Sequence, residues 1–186
     1  MRTQWWCTLA VVAACGGSDP SASAVAHDPC APLAIDAASL TDAEQAGVID
    51  ALALWRGHGI TAMTLADGAA PAAGAASGGG GNDATGAPAD AAIALRFEDA
   101  AATFHGVYDP DSASVLINRD LTGDADRAQL AIVIAHELGH VFGLVHIDPA
   151  VRLSLMNPGN LVTTPTDADQ QALADLWGAC PSAAAP

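Results

Sequence analysis

Three segments of the chain carry apolar residues at the spacing of an amphipathic helix. Each begins with a Thr or Asp that can cap a helix, and Glu, Gln or Asp follows three residues later. The predicted helices begin at Thr41, Asp126 and Thr166, and they extend to residue 56, through the histidine-rich segment after Asp126, and to Trp177. In the last helix, Leu173 and Leu176 form the apolar stripe that is expected to be buried.

Shorter segments with alternating or continuous apolar residues predict strands between the first two helices. These segments are residues 60–65, 92–97, 105–108 and 114–118. The turn sequence Asp109-Pro110-Asp111 separates the last two of them. The patterns therefore predict strands that lie between the first and second helices of one domain.

The remaining segments have no pattern that could pack into a core. Residues 1–15 combine a positive charge at Arg2 with an apolar run too short to cross a bilayer core of about 30 Å, which is typical of an export signal. Residues 16–32 are rich in Ser, Ala, Asp and Pro and predict a tether. One domain is expected at residues 33–181, with a low-complexity, mobile loop at 67–91.

The end of the export signal, Val12-Ala13-Ala14-Cys15, resembles the bacterial lipobox, in which the cysteine is lipidated and becomes the first residue. The alternative is ordinary cleavage after Ala26, at the small-residue triplet 24–26. We favour lipidation because the apolar run stops at Cys15 and leaves a long polar gap before Ala26. The expected location is the bacterial cell envelope, with a lipid anchor in the outer membrane or at the cell surface, and secretion is the alternative.

Acidic residues outnumber basic residues by 21 to 6, so the net charge is −15. Without a basic patch to release counterions, nucleic acid is excluded as an expected partner. The length of 186 residues suits one domain, and we expect a monomer. A group of aspartates in a loop-rich stretch offers oxygen ligands for calcium, although solvated acidic loops are the favoured interpretation. The group consists of Asp109, Asp111, Asp120, Asp124 and Asp126.

The second predicted helix contains the sequence His-Glu-Leu-Gly-His-Val-Phe-Gly-Leu-Val-His. Four residues advance a helix by about 400°, so His136 and His140 lie one turn apart on one face and can share a metal ion. Gly143 can adopt the left-handed conformation that ends a helix, so the chain can turn back and supply His146 as a third ligand. A catalytic zinc site has three such ligands and an open position for water. Glu137 is the expected general base, which accepts a proton from the zinc-activated water.

This segment and the later sequence Ser154-Leu155-Met156-Asn157-Pro158 resemble the metzincin clan of zinc endopeptidases, whose histidine motif is followed by a methionine turn. Asp148-Pro149 makes the resemblance greatest with the matrixins. Asn157 departs from their pattern, because an aromatic residue follows the methionine there. The resemblance covers roughly residues 90–180. It implies an α+β metzincin-like zincin fold, in which a small, mixed and twisted sheet packs with an active-site helix and a C-terminal helix below Met156.

The resemblance also implies that the protein is a zinc metalloendopeptidase that hydrolyses peptide bonds. The polypeptide substrate would lie extended along an edge strand at residues 105–108. One alternative is a non-catalytic zinc-binding envelope protein on the same scaffold, and another is a zinc hydrolase that acts on a different bond. His27, His58 and His105 lack ligand spacing and are interpreted as ordinary surface or core residues.

Two cysteines remain for the mature domain once Cys7 leaves with the export signal and Cys15 carries lipid. An exported protein meets an oxidising compartment, so Cys30 and Cys180 are predicted to form a disulfide. The alternative comes from the resemblance, because a propeptide cysteine binds zinc and keeps matrixin proenzymes latent. Cys30, in Asp28-Pro29-Cys30, would have that role.

Overall fold

A computed structural model describes residues 26–66, 92–101, 103–119 and 126–180. The predicted export signal with Cys15, the first part of the predicted tether and the low-complexity loop lie outside these residues. No helix within the described ranges is long and apolar enough to span a membrane.

The three predicted helices are present in the described residues. They are α1 (Asp42–Arg56), α2 (Arg127–Val141) and α3 (Asp167–Trp177). Each begins at its predicted cap. The side chain of the cap residue accepts a hydrogen bond from the backbone N–H three residues later in the chain. These bonds join Thr41 to Glu44, Asp126 to Gln129 and Thr166 to Asp169. Local capping chemistry therefore defines where the helices start.

The described strands form one mixed sheet in the order β2-β1-β3-β5-β4. Their bounds are β1 (Leu33–Asp36), β2 (Met63–Ala66), β3 (Ala92–Glu98), β4 (Gly106–Asp109) and β5 (Ser114–Asn118). The first four strands in this order are parallel to their neighbours, and β4 pairs antiparallel with β5 at the edge. The predicted edge strand is thus found at the edge of the described sheet, within one residue of its expected bounds.

Two differences from the sequence prediction concern short strands. β1 is not predicted, because its four residues contribute only Leu33 and Ile35 to the core and give too short an alternation. β2 begins three residues after the predicted start, because the chain first turns at Gly59, with φ of +83°, and Ile60 enters the core from this turn. Both strands therefore depend on pairing with neighbouring strands more than on the pattern of apolar residues within them.

Helix α2 is held from one side by α1. Trp55 is fully buried and donates a hydrogen bond from Nε1 to the carbonyl oxygen of Ala135 at 3.0 Å. Its ring also meets Phe142 edge to face, with ring centroids 5.9 Å apart. A β-carbon at Gly47 would lie 2.7 Å from Leu130 Cδ2, so the absence of a side chain lets the two helices approach closely. This packing fixes the position of α2 in the core.

Helix α3 differs from its prediction on one face. Leu173 is buried, but Leu176 is 58% exposed, so the prediction that both leucines are buried is wrong for Leu176. The helix is held instead by polar contacts at its two ends. Asp169 lies buried at the start, and Trp177 donates from Nε1 to the carbonyl oxygen of Phe142 at 2.9 Å at the end. These contacts replace the second apolar anchor.

The predicted disulfide between Cys30 and Cys180 is present, with an S–S distance of 2.06 Å. Cys30 therefore has no thiol with which to bind zinc, and the latency alternative is wrong. Residues 26–32, at the end of the predicted tether, lie against the domain. The backbone N–H of His27 donates to the carbonyl oxygen of Val141 at 2.8 Å, so this segment caps the C-terminal end of α2.

Candidate metal centre

The end of α2 brings three histidines together. His136 and His140 project from one face of the helix, and the chain leaves the helix at Gly143, whose φ is +90°. Residues with side chains adopt this conformation rarely, and a β-carbon at Gly143 would also lie 3.0 Å from Ala26 Cβ. The chain then reverses and places His146 opposite the helical pair.

The three imidazoles meet through their Nε2 atoms. His146 Nε2 lies 3.1 Å from His136 Nε2 and 3.2 Å from His140 Nε2. A tetrahedral zinc ion with Zn–N bonds of about 2.0–2.1 Å requires its nitrogen ligands to lie about 3.3 Å apart. The separations therefore fit one zinc ion. Among the described residues, this cluster is the group of His, Cys, Asp or Glu side chains that could hold a metal ion.

The other ring nitrogen of the two helical histidines is held by the backbone. His136 Nδ1 donates to the carbonyl oxygen of Leu155 at 2.7 Å, and His140 Nδ1 donates to that of Leu144 at 2.8 Å. A neutral imidazole that is protonated at Nδ1 has a lone pair at Nε2. Both lone pairs point toward the same position, where a cation would relieve their repulsion. The chemistry of the donor set therefore also fits zinc.

Burial favours the neutral form of all three histidines. Burial, with a smaller contribution from the neighbouring His140, lowers the pKa of His136 to about 3. Burial likewise lowers the pKa of His140 to about 4, and it lowers the pKa of His146. Because a metal ion binds only the unprotonated nitrogen, protons compete weakly for these ligands near neutral pH.

The side chain of Glu137 projects from α2 toward the edge strand β4. Its side chain is buried, and burial raises its pKa to about 8, while a hydrogen bond from the Tyr108 backbone acts in the opposite direction. A β-carbon at Gly106 would lie 3.0 Å from Glu137 Oε1, so β4 passes close to the carboxylate at this glycine. A carboxylate with a raised pKa beside a metal site can accept and return a proton.

Met156 packs against Gly139, which lies in α2 between His136 and His140. It is fully buried, and a β-carbon at Gly139 would lie only 2.6 Å from its sulfur. Its carbonyl oxygen accepts the N–H of Ile147 at 3.0 Å, which joins the methionine turn to the residue after His146. Gly139 is therefore required by contact with Met156, a role that spacing along the helix does not reveal.

The methionine turn is held by two buried polar side chains. Asp169 accepts hydrogen bonds from the backbone N–H of Leu155 at 3.0 Å and from the Ser154 hydroxyl group. Asn157 donates to the carbonyl oxygens of Ile147 at 2.8 Å and Arg152 at 3.1 Å. Asn157, the departure from the matrixin pattern, thus fastens the connection between His146 and the turn.

One histidine at the site has no signal in the sequence. Spacing alone predicts an ordinary residue at His105, but the structure places it on the wall of a small cavity beside His136 and Glu137. His105 immediately precedes β4, and the position of β4 in the sheet places this residue beside α2. Only the pairing of β4 with β5 brings together residues so far apart in the chain.

The expected calcium ligands do not form a cluster in the described part of the chain. Asp109 accepts hydrogen bonds from the Ser112 hydroxyl group at 2.6 Å and the Asp111 N–H at 3.0 Å, which is a local turn. Asp126 caps α2. Asp120 and Asp124 lie outside the described residues. The calcium interpretation is therefore unsupported, and Asp109 and Asp126 act as turn and cap residues.

Comparison with protein families gives a match to peptidase family M48 over residues 83–175, which is half of the chain. The matched region contains the three histidines, Glu137 and Met156. M48 peptidases are zinc-dependent, in agreement with the geometry of the histidine cluster. No curated protein that was compared matches the chain.

Proposed function

The chain belongs to peptidase family M48 and is a zinc-dependent metallopeptidase, and from this premise we propose that it is an endopeptidase with a metzincin-type site. The observation that carries the proposal is the convergence of three Nε2 atoms, with separations of 3.1 and 3.2 Å measured from His146, beside the buried carboxylate of Glu137. Three protein ligands leave one position of a tetrahedral ion for reaction.

The metzincin assignment rests on the segment that follows the helix. The third ligand, His146, is delivered by a glycine turn, and Met156 packs against Gly139. The matrixin-like form of the proposal rests on Asp148-Pro149 and on the Leu155-Met156 pair. A site in which the third ligand came from a distant helix would have neither arrangement.

The side chains of the site divide the reaction between them. When bound, zinc supplies a positive charge that acidifies a water molecule and polarises the carbonyl group of the substrate. His136, His140 and His146 would hold the ion through Nε2 in their neutral form. Glu137 accepts the proton of the attacking water and then delivers it to the nitrogen of the leaving amine. The Glu137 carboxylate lies against β4 at Gly106.

The proposed substrate is an extended polypeptide that adds a strand to the sheet. Strand β4 pairs with β5 along one side, and in the described structure no strand covers its other side. Its unpaired backbone groups can bind a peptide backbone of any sequence. Because Glu137 lies against Gly106 and Tyr108, a peptide on this edge passes the catalytic carboxylate.

The proposed setting of the enzyme is the bacterial cell envelope, with a lipid anchor at Cys15, or secretion if cleavage follows Ala26. The disulfide between Cys30 and Cys180 supports an oxidising compartment. The net charge of −15 supports the proposal that nucleic acid is not a partner. We propose a monomer.

Hydrolysis of a quenched-fluorescence peptide library by the purified, zinc-loaded protein tests the function. We expect cleavage that a zinc chelator abolishes and added zinc restores. The matched control is Glu137→Gln, which retains the three ligands but lacks the proton acceptor. A folded protein that binds zinc and cleaves no peptide or protein substrate would contradict the proposal and favour a non-catalytic zinc-binding protein.

A further inference from the structure

A small cavity that is open to solvent on one side lies beside Glu137, and three separate elements line it. Helix α2 forms one wall, the segment before β4 forms a second and the loop after the methionine turn forms a third. The lining residues are His105, Val133, His136, Glu137, Gly159 and Asn160. Its volume is about 10 Å³. A space of about 10–15 Å³ holds one water molecule, so a methyl or hydroxyl group fills this cavity.

The position of the cavity identifies the part of the substrate that reaches it. Under the proposed function, Glu137 delivers a proton to the nitrogen of the leaving amine, so the residue that carries this nitrogen lies beside Glu137. Side chains of an extended peptide alternate between the two faces of the sheet that it extends. A side chain that this residue directs toward α2 enters the cavity.

Two walls of the cavity are fixed by their own contacts. Asn160 donates to the carbonyl oxygens of Leu155 at 3.1 Å and Thr163 at 2.6 Å, and its Oδ1 accepts the N–H of Thr163 at 2.8 Å. Val133 is buried in α2, and His136 is held by its hydrogen bond to Leu155. These walls cannot retreat without breaking bonds that also hold the metal ligands.

The third wall is His105. Its carbonyl oxygen accepts the N–H of Asn118 at 2.9 Å, which fixes its backbone at the start of β4. Its ring is half-buried and makes no hydrogen bond to the described residues. His105 therefore borders the space into which a larger side chain of the substrate would extend.

We propose that His105 is a specificity-determining residue, which limits the residue that carries the leaving amine to Gly, Ala or Ser. The proposal rests on the proposed function and adds its substrate class. A side chain as large as Leu would have to displace the imidazole or the hydrogen-bonded walls. Each methylene group that a pocket accepts or rejects changes kcat/KM by about tenfold or more.

Paired peptides that differ only at this residue, Ala in one and Leu in the other, test the proposal. For the zinc-loaded parent, we expect kcat/KM for the Ala peptide to exceed that for the Leu peptide by at least about tenfold. The variant His105→Ala should raise the Leu-to-Ala ratio by at least about tenfold, because it opens the third wall. The matched control is His58→Ala, which removes another half-buried histidine that does not line the cavity and should leave the ratio unchanged.

A binding measurement separates failure of this proposal from failure of the proposed function. Both peptides are titrated into Glu137→Gln, with and without His105→Ala, and dissociation constants are obtained by calorimetry. Tighter binding of the Leu peptide after His105→Ala supports the proposal even if the parent hydrolyses nothing, an outcome that would refute only the peptidase function. Equal kcat/KM values for the two peptides in a parent that hydrolyses them overturn the proposal. So does a ratio of dissociation constants for the two peptides that is the same with and without His105→Ala. If His105→Ala does not fold, His105→Asn shortens the side chain and replaces it in both measurements.

Discussion

Asp169 and His136 bind the two sides of a single residue, Leu155. Asp169 accepts the N–H of Leu155 at 3.0 Å, and His136 donates from Nδ1 to the carbonyl oxygen of Leu155 at 2.7 Å. The carboxylate that caps α3 therefore also holds the turn that orients His136, a proposed metal ligand. Such support fixes the ring and its tautomer, which affects how tightly the metal binds.

Replacement of Asp169 should weaken both the fold and the metal site. Asp169→Ala leaves the N–H groups of Leu155 and Thr166 without their acceptor, so we expect the free energy of unfolding to fall by about 3 kcal/mol. Zinc affinity should fall by about 10-fold to 100-fold. Urea unfolding and zinc titration against a competing chelator measure the two effects.

The control for Asp169 is Asp167→Ala. Asp167 belongs to the first turn of the same helix, but its side chain is fully exposed. Asp167→Ala should change the free energy of unfolding by less than about 1 kcal/mol and leave zinc affinity unchanged. Asp169→Ala with parental zinc affinity would show that the bond to Leu155 does not orient His136.

Glu137→Gln should separate metal binding from catalysis. The variant keeps all three nitrogen ligands, so we expect one zinc ion per chain, as in the parent. Without a carboxylate to accept the water proton, the rate should fall by about 10²-fold to 10⁴-fold. Elemental analysis measures zinc, and hydrolysis of a good substrate from the library measures the rate. A variant that cleaves at the parental rate would remove Glu137 from the mechanism.

A methyl group at Gly139 should compete for space with Met156. A β-carbon there would lie 2.6 Å from the Met156 sulfur, and overpacking of a core costs about 1–3 kcal/mol. Ala is also favoured over Gly in a helix by about 1 kcal/mol. We therefore expect Gly139→Ala to destabilise the parent but to stabilise a Met156→Ala background. Urea unfolding of the four proteins measures the coupling, and equal effects in both backgrounds would contradict the contact.

Without metal, the protein should be most stable near pH 6.5. The pKa values of His136 and His140 are lowered from 6.5 to about 3 and about 4, so only the unfolded chain takes up their protons as pH falls below 6.5. The pKa of Glu137 is raised from 4.5 to about 8, so stability is lost as pH rises through that range. As pH falls below 6.5, the stability lost through the two histidines exceeds the stability gained through Glu137. As pH rises above 6.5, stability is lost mainly through Glu137.

Thermal unfolding of the chelator-treated protein between pH 5 and pH 9 measures this dependence. In Glu137→Gln, the decline on the alkaline side should be smaller, because glutamine does not titrate. The decline on the acidic side should remain. A parent whose unfolding temperature rises steadily from pH 6.5 to pH 8 would contradict the assignment for Glu137.

Loss of the disulfide should destabilise the domain strongly. Cys30 and Cys180 are 150 residues apart, and closure of such a loop contributes up to about 5 kcal/mol in the chain-entropy model. The double variant Cys30→Ser/Cys180→Ser should therefore unfold at a lower urea concentration than the oxidised parent. Intact mass with and without reductant verifies the bond in the parent. Equal unfolding midpoints would show that the bond contributes little.

Elements that depend on neighbours along the chain are predictable from the sequence. The caps at Thr41, Asp126 and Thr166 define helix starts because donor and acceptor lie within one turn. Strand β1 is not predictable in this way, because it forms through pairing with β2 on one side and β3 on the other, and only two of its residues are buried in the core. Leu176 has the right spacing but is 58% exposed, since the described fold leaves more than half of it uncovered.

The sequence by itself determined the histidine cluster, because a helical turn places His136 beside His140 and Gly143 permits the reversal that supplies His146. These constraints act over eleven residues and need no distant partner. Tertiary structure decided what surrounds the cluster. His105 reaches it through strand pairing, and Asp169 reaches it through the packing of α3 against the methionine turn. Contacts between residues so far apart in sequence depend on the packing of the whole chain, which local spacing does not encode.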